Sequence, residues 1–432
     1  VNLLTTSSFS TRRLKYVVTL RRSRAQGDEN RKPYIGLEHI ESWTGRLVSD
    51  LSSADEAAVL ATRESDSLSS TFEPGDVLFG KLRPYLAKAW VAEFAGRCTT
   101  EALVMQPVAV EARFLHYVCL CPNFIELVDA STFGSKMPRA EWEFIGNIKI
   151  PVPPLPQQRA IADYLDRETA RIDALIAAKE RLLALLAEKR RALITRAVTR
   201  GLDPNAPMKD SGIPWLGEIP AHWTAIRINH VVTLRRSRVQ SDEERKPYIG
   251  LEHIESWTGR LVSDLSSADE AAVSATRESD SLSSTFEPGD VLFGKLRPYL
   301  AKAWVAEFAG RCTTEALVMQ PVAVEARFLR YVFLCPDFID LVDASTFGSK
   351  MPRADWDFIG NIKIPLPPAT EQRAIVEHIT EETARLDALR AATERSIALL
   401  KERRAALISA AVTGQIDVPA CAASTADREA VP

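Results

Sequence analysis

Apolar side chains recur every three or four residues along two long stretches of this chain. That spacing puts them on one face of a helix. In the first stretch Ile161, Leu165, Ile172, Leu175, Leu182, Leu186 and Leu193 mark a heptad seam, interrupted by Lys179 and Lys189. The helix should begin near Pro156, where a missing N–H costs nothing, and run to about Thr199. The second stretch repeats the seam at Ile375, Ile379, Leu386, Leu389, Leu400 and Leu407, opening after Thr370 as N-cap. About 44 residues at 1.5 Å each make a rod of roughly 65 Å. Two such stripes cover each other most economically, and antiparallel packing avoids crowding whatever precedes each helix. A cofactor stripe is the rival reading.

Elsewhere the periods are short. Tyr16–Leu20, Pro33–Gly36, Val77–Gly80, Lys88–Ala92 and Leu103–Gln106 read as strands, and Glu111–Asp129 reads as a helix. Ser49–Ser70 reads as loop or short helix. The fold class predicted is α+β: two mixed α/β domains separated by a pair of long antiparallel helices, a coiled coil, with pseudo-two-fold symmetry.

That symmetry comes from a duplication. Residues 17–151 return at 231–365, shifted by 214, and only ten of the 135 aligned positions differ. The same shift carries Gln158-Arg159-Ala160-Ile161 onto Gln372-Arg373-Ala374-Ile375. The organisation expected is domain 1 (1–153), helix 1 (154–200), a linker holding Trp215 and Trp223 (201–224), domain 2 (225–367), helix 2 (368–414) and a flexible tail (415–432). Four differences, at 116, 119, 123 and 126, follow a 3-4-3 spacing on one helical face. That face is expected to be exposed or to meet different neighbours in the two copies, and Phe333 points to a contact there. Differences at 25, 27 and 30 lie beside a run of arginines.

Composition narrows the class. An apolar share of 46% fits a soluble globular protein, and no apolar run reaches the roughly 18 residues that span a bilayer. The amino end lacks the order of a secretory signal, and it starts at Val, as a fragment or a chain with an unusual start codon does. Six cysteines follow no metal or disulfide spacing. Cys119-x-Cys121 becomes Phe333-x-Cys335, so buried free thiols in a reducing cytoplasm are expected. A net charge of −3 argues against bulk nucleic-acid binding, yet local patches decide such contacts. Residues 11–24 hold six basic side chains and no acid.

Several motifs could carry chemistry. Gly75-x-x-x-x-Gly80-Lys81, repeated at Gly289, Gly294 and Lys295, imitates a phosphate-binding loop. Leu82 and Leu296, however, stand where Ser or Thr must hold magnesium, and Pro84 would break the helix required next. A basic hairpin presenting Lys81, Arg83 and Lys88, with Lys295, Arg297 and Lys302 in the second copy, is the better reading. The loop Thr132–Arg139, unchanged at 346–353, offers Lys136 and Arg139, or Lys350 and Arg353, to phosphates or base edges; it also reads as a solvated connection. Arg21, Arg22 and Arg24, with Arg235, Arg236 and Arg238, grip phosphates or mark an exposed strand end. His39 and His253 have no second histidine nearby, so no metal site is expected. No glycine-rich cofactor fingerprint, methylation motif or Ser/His/Asp pattern appears. The chain reads as non-catalytic, with a nucleotide-binding enzyme and a coiled-coil scaffold as rivals.

Three segments carry a family resemblance: Ile150–Ile161 with its partner Ile364–Ile375, the helix endings Leu193–Thr199 and Leu407–Asp417, and Ser211–Trp223. With them the chain resembles the DNA specificity subunit of type I restriction–modification systems. The resemblance implies two target recognition domains, each reading half of a split duplex DNA site, with the helices as a ruler for the gap. It further implies two methylation subunits using S-adenosylmethionine, and restriction subunits using ATP and magnesium that can join them. No cofactor is implied in this chain. The lead-in Ser211–Trp223 has no counterpart before domain 1, and near-identical domains, unusual in that family, imply a palindromic target.

Overall fold

Val77–Gly80 is buried along its whole length, because its two faces serve two different cores. Val77 and Phe79 face helices with Met105, Phe114, Val118 and Phe124, while Leu78 joins Trp90, Val104, Phe72 and Ile35 on the other side. A strand buried on both faces shows a continuous apolar run rather than alternation. The same run marks the strand in the sequence.

The computed structural model describes residues 9–24, 32–48, 69–134, 136–239, 247–262, 282–348 and 350–418. The differences at 25, 27 and 30, residues 49–68 of the Ser-rich stretch and the tail from 419 lie outside them. In the first repeat the strands are β1 (Thr11–Arg13), β2 (Val18–Leu20), β3 (Tyr34–Ile35), β4 (Ser69–Phe72), β5 (Val77–Gly80), β6 (Ala89–Val91), β7 (Gly96–Thr99), β8 (Ala102–Pro107) and β9 (Lys149–Pro151). Its helices are α1 (Ala112–Leu120), α2 (Pro122–Asp129), α3 (Trp142–Ile145) and α4 (Leu155–Arg200). One antiparallel sheet has the order β2-β8-β5-β6; a second, β3-β7-β4, contains a parallel pair, and β1 pairs with β9.

The second repeat follows β10 (Met208–Asp210), β11 (Glu218–Pro220) and β12 (Thr224–Arg227), then α5 (Ile228–Val231) and β13 (Val232–Leu234) to β20 (Ala316–Pro321). Within that run β17 is Val291–Gly294 and β18 is Ala303–Val305. Helices α6 (Ala326–Phe333), α7 (Pro336–Ala344) and α8 (Trp356–Ile359), strand β21 (Lys363–Leu366) and α9 (Ala369–Thr413) close it. The sheet β13-β20-β17-β18 reproduces the first.

Several expected elements are corrected. Tyr16–Leu20 begins instead as a 3-10 turn, Leu14–Tyr16, before the strand. The single helix expected over Glu111–Asp129 is two, because Pro122 cannot continue a helix and Cys121 turns extended as the next N-cap. Of the two alternatives for the variable face, the structure shows the second, different neighbours in the two copies: Cys119 and Phe333 are fully buried, and Phe333 stacks on Phe293 and Phe338 at 5.1 and 5.2 Å. Only Asn123 and Glu126 face water.

His116, on that face, donates from Nε2 to the Ala89 carbonyl at 3.1 Å. Burial lowers its pKa to about 4. The unfolded chain therefore takes up this proton near 6.5 and the folded one only near 4. Stability should fall as pH drops through that window, by about 3 kcal/mol once complete. His116→Gln is expected to flatten this part of the acid limb in melting curves taken from pH 7 to 4. An unchanged limb would refute the assignment.

The chain divides into two compact units, Val1–Lys179 with Arg395–Pro432, and Glu180–Glu394, and the division runs through both long helices. The reason is core continuity. In unit 1, Ile161 and Leu165 of α4 pack in one cluster with Ile408, Ala411 and Val412 of α9. In unit 2, Ile375, Val376 and Ile379 of α9 pack with Ile194, Ala197 and Val198 of α4. Within each unit, then, the start of one helix lies against the end of the other, and the helices run antiparallel. A polar clamp repeats the arrangement. Asp173 accepts from Arg46 at 2.7 Å and from Arg404 at 3.0 Å. Its counterpart Asp387 accepts from Arg190 at 2.8 Å and from Arg260.

The heptad seam needs correction at three places. Leu175, Leu182 and Leu389 are exposed, whereas Ile176, Leu186 and Ile397 are buried. The buried stripe also contains Thr169, Thr383, Thr393 and Arg404, so a purely apolar scan slips by a residue. Thr370 is not an N-cap but lies inside the first turn of α9.

Candidate nucleic-acid interface

Two loops some fifty residues apart in sequence are joined edge to edge. The Arg83 N–H donates to the Pro138 carbonyl at 2.8 Å, and the Ala140 N–H to the Lys81 carbonyl at 3.0 Å. Phe133 and Arg139 exchange both backbone bonds at 3.2 Å. Arg83 sits in the left-handed region at φ 50°, ψ 60°, and Pro84 opens a 3-10 turn directly after it. A non-glycine residue is held there only when its surroundings fix it. The outcome is one platform carrying Lys81, Arg83, Lys136 and Arg139, with Phe133, Tyr85 and Met137 exposed among them. The second repeat builds the same joint, Arg297 N–H to Pro352 and Ala354 N–H to Lys295, around Lys295, Arg297, Lys350 and Arg353.

The cations on this platform are not equivalent. Arg139 donates twice to Glu101 at 3.0 and 3.1 Å, and that carboxylate raises its pKa; Arg353 does the same with Glu315. Lys88, expected beside Lys81, is corrected to a structural role. Half-buried, it donates to the Leu37 carbonyl at 2.6 Å, and burial lowers its pKa, as for Lys302 with Leu251. Arg21 likewise serves the fold, donating to both oxygens of buried Asp76 at 2.7 and 3.3 Å, and Arg235 does so to Asp290. Arg22 and Arg24 are exposed, as are Arg236 and Arg238. They leave β2, two strands and about 10 Å across the sheet from β5, and run toward β4, where Arg24 bridges Ser70.

The exposed aromatics are the part of the platform that sequence reasoning misses. Their signal was an apolar side chain in a loop of Gly, Lys and Arg with no periodicity to bury it. The phosphate-loop imitation does not become a cradle, since Gly75 turns at φ 86° and the residues after Asp76 form β5. Among the described residues there is no group of His, Cys, Asp or Glu that could hold a metal, and no helix is long and apolar enough to cross a membrane. The five described cysteines are free and buried.

Before domain 2 the lead-in segment is tied to its own unit. Trp223 is fully buried and donates from Nε1 to Glu371 at 2.7 Å, while Trp215 donates to the Lys363 carbonyl and meets Phe338 edge-on.

Each repeat thus offers an α/β domain with a basic, aromatic-studded platform, packed on long helices that run antiparallel within each unit, and comparison with known proteins shows what this arrangement resembles. Residues 98–184 match the type I restriction modification DNA specificity domain. The chain is 24% identical over 403 residues to the EcoDI specificity subunit of Escherichia coli, covering 88% of this chain and 87% of that protein. It is 23% identical to the MjaVIII specificity subunit of Methanocaldococcus jannaschii, over 58% of this chain and 59% of that one. A solved structure described as showing complex assembly and conformational transition of the type I R-M system shares the fold, with a TM-score of 0.71 and 19% identity, covering 94% of this chain and 98% of that one. The HsdS subunit of Thermoanaerobacter tengcongensis matches at a TM-score of 0.50 and 19% identity, covering 94% of this chain and 97% of that one. Residues 98–184 thus carry a type I DNA specificity domain, the chain is similar over most of its length to type I restriction enzyme specificity subunits, and the role these likenesses support is DNA recognition.

Proposed function

We propose that this chain reads two equal, inverted half-sites of duplex DNA and holds two methylation subunits over them. The observation that carries the reading is the platform: two separated loops joined by the same backbone bonds in both repeats, so that equivalent cations and aromatics face a target twice. Lys81, Arg83 and Lys136, with Lys295, Arg297 and Lys350, contact phosphates or base edges; Arg22, Arg24, Arg236 and Arg238 extend the contact along the backbone. Arg139 and Arg353, held flat by their glutamates, are poised for bidentate reading of a base once those glutamates yield. The antiparallel pairing of the helices supports inversion of the half-sites. Methyl transfer from S-adenosylmethionine to adenine belongs to the methylation subunits, and ATP- and magnesium-dependent cleavage to restriction subunits where they join. The complex acts in the cytoplasm. Mapping methylated adenines in cells that carry this chain with its methylation partner is expected to reveal an interrupted palindrome. An asymmetric motif would overturn the equality of the halves.

A further inference from the structure

Away from the platform, unit 2 contains a cavity of about 630 Å³ where α6 meets α9 and the strand ends of the sheet. Its wall carries Arg190, Arg260, Arg327 and Arg330 against Glu307 and Glu325. Little of that positive charge is answered. Glu325 caps α6, accepting from the Phe328 N–H at 2.6 Å, and makes no ion pair among the described residues. Arg190 and Arg260 share a single carboxylate, Asp387. Arg327 has no ion pair among the described residues, and the buried Nε of Arg330 has no hydrogen-bond partner. Burial lowers the pKa of Arg330, with Arg327 and Arg190 adding repulsion and the Tyr331 side chain, 4.6 Å below it, compensating in part.

Unit 1 shows the same place with its charges answered. There Arg113, the counterpart of Arg327, donates to Glu111, Asp163 and Asp166. His116 replaces Arg330 and bonds the Ala89 carbonyl. Tyr117 donates to Asp166 at 2.6 Å, whereas Tyr331 meets Thr380 at 3.2 Å. Two exchanges, His116 for Arg330 and Asp166 for Thr380, therefore add a cation and remove an anion in unit 2 alone. A buried guanidinium without a counter-ion is costly unless a ligand supplies one.

We propose that this cavity binds a phosphate-bearing small molecule, with Arg327 and Arg330 as its principal donors. Guanidinium forks match the oxygens of a phosphate in pairs, and a dianion balances the two unanswered charges. Concavity favours a small ligand over a duplex, whose backbone needs an open surface. The source is either inorganic phosphate or the phosphates of a nucleotide.

Calorimetric titration of the full chain, in phosphate-free buffer and without DNA, decides the matter. Inorganic phosphate and ATP are titrated separately into the wild type, into R330H with T380D, and into H116R with D166T. One site per chain is expected in the wild type. R330H with T380D, which installs the residues that unit 1 already tolerates, should weaken binding at least tenfold. H116R with D166T should raise the stoichiometry to two. Equal affinity for both ligands would identify the free ion, and tighter ATP binding a nucleotide. Absence of saturable binding up to about 10 mM of either ligand would overturn the proposal. So would a titration that R330H with T380D leaves unchanged, or a stoichiometry that stays at one in the H116R and D166T variant. None of these outcomes bears on the reading of DNA.

Discussion

Replacing Lys81, Arg83, Lys295 and Arg297 by alanine together is expected to weaken duplex binding by the methylation complex by roughly 10²–10³-fold. The slope of log affinity against log salt should also fall by about four. Among the described residues, each of these side chains stands on the platform without a carboxylate partner of the kind that engages Arg139 and Arg353. Each is therefore free to displace a counter-ion from a phosphate. Arg21→Ala provides the contrast. Its guanidinium is committed to Asp76, so its loss should destabilise the domain and leave the salt slope of the folded fraction unchanged. Fluorescence anisotropy at several salt concentrations separates the two behaviours. A slope that the four-fold variant does not lower would remove the platform from the interface.

This distinction between free and committed cations is the part of the site that the sequence hides. Arg21, Lys88 and Arg139 look alike as cations of basic stretches, but their partners Asp76, Leu37 and Glu101 are brought up by other elements. The two loops of the platform were each visible as motifs. Their joint was not, because nothing in either loop encodes a bond to a segment fifty residues away. Strands show the same divide. The doubly buried β5 announces itself as an apolar run, whereas β4, Ser-Ser-Thr-Phe, and β7, Gly-Arg-Cys-Thr, owe their state to each other across the sheet. β7 even buries Arg97, whose guanidinium lies 5.2 Å from the Tyr34 ring. Both long helices were legible from periodicity alone, yet the polar members of the buried stripe displaced the seam at Leu175, Leu182 and Leu389.

Those polar members lead to the second large effect. Asp387→Ala is expected to cost unit 2 about 3–5 kcal/mol, far more than the roughly 0–1 kcal/mol of an exposed pair. Arg190 crosses from α4 to reach Asp387 on α9, and its side chain is only 11% exposed. Its Nε already lacks a partner. Without the carboxylate, a nearly buried guanidinium is left between two helices with nothing to neutralise it. Arg260, 46% exposed, can turn to water, so Arg260→Ala should cost less than about 1 kcal/mol. Asp173→Ala should act on unit 1 in the same way through Arg404, which also donates to the Trp43 carbonyl at 2.7 Å. Combining Asp387→Leu with Arg190→Met removes both charges and should recover most of the loss, because the penalty arises from the orphaned partner and not from the missing attraction. Urea denaturation followed by hydrogen exchange in α4 and α9 reads each unit separately. If Arg260→Ala proves as damaging as Asp387→Ala, the clamp acts by fastening the domain to its own helix, and the crossing arginine is not what holds the two helices together.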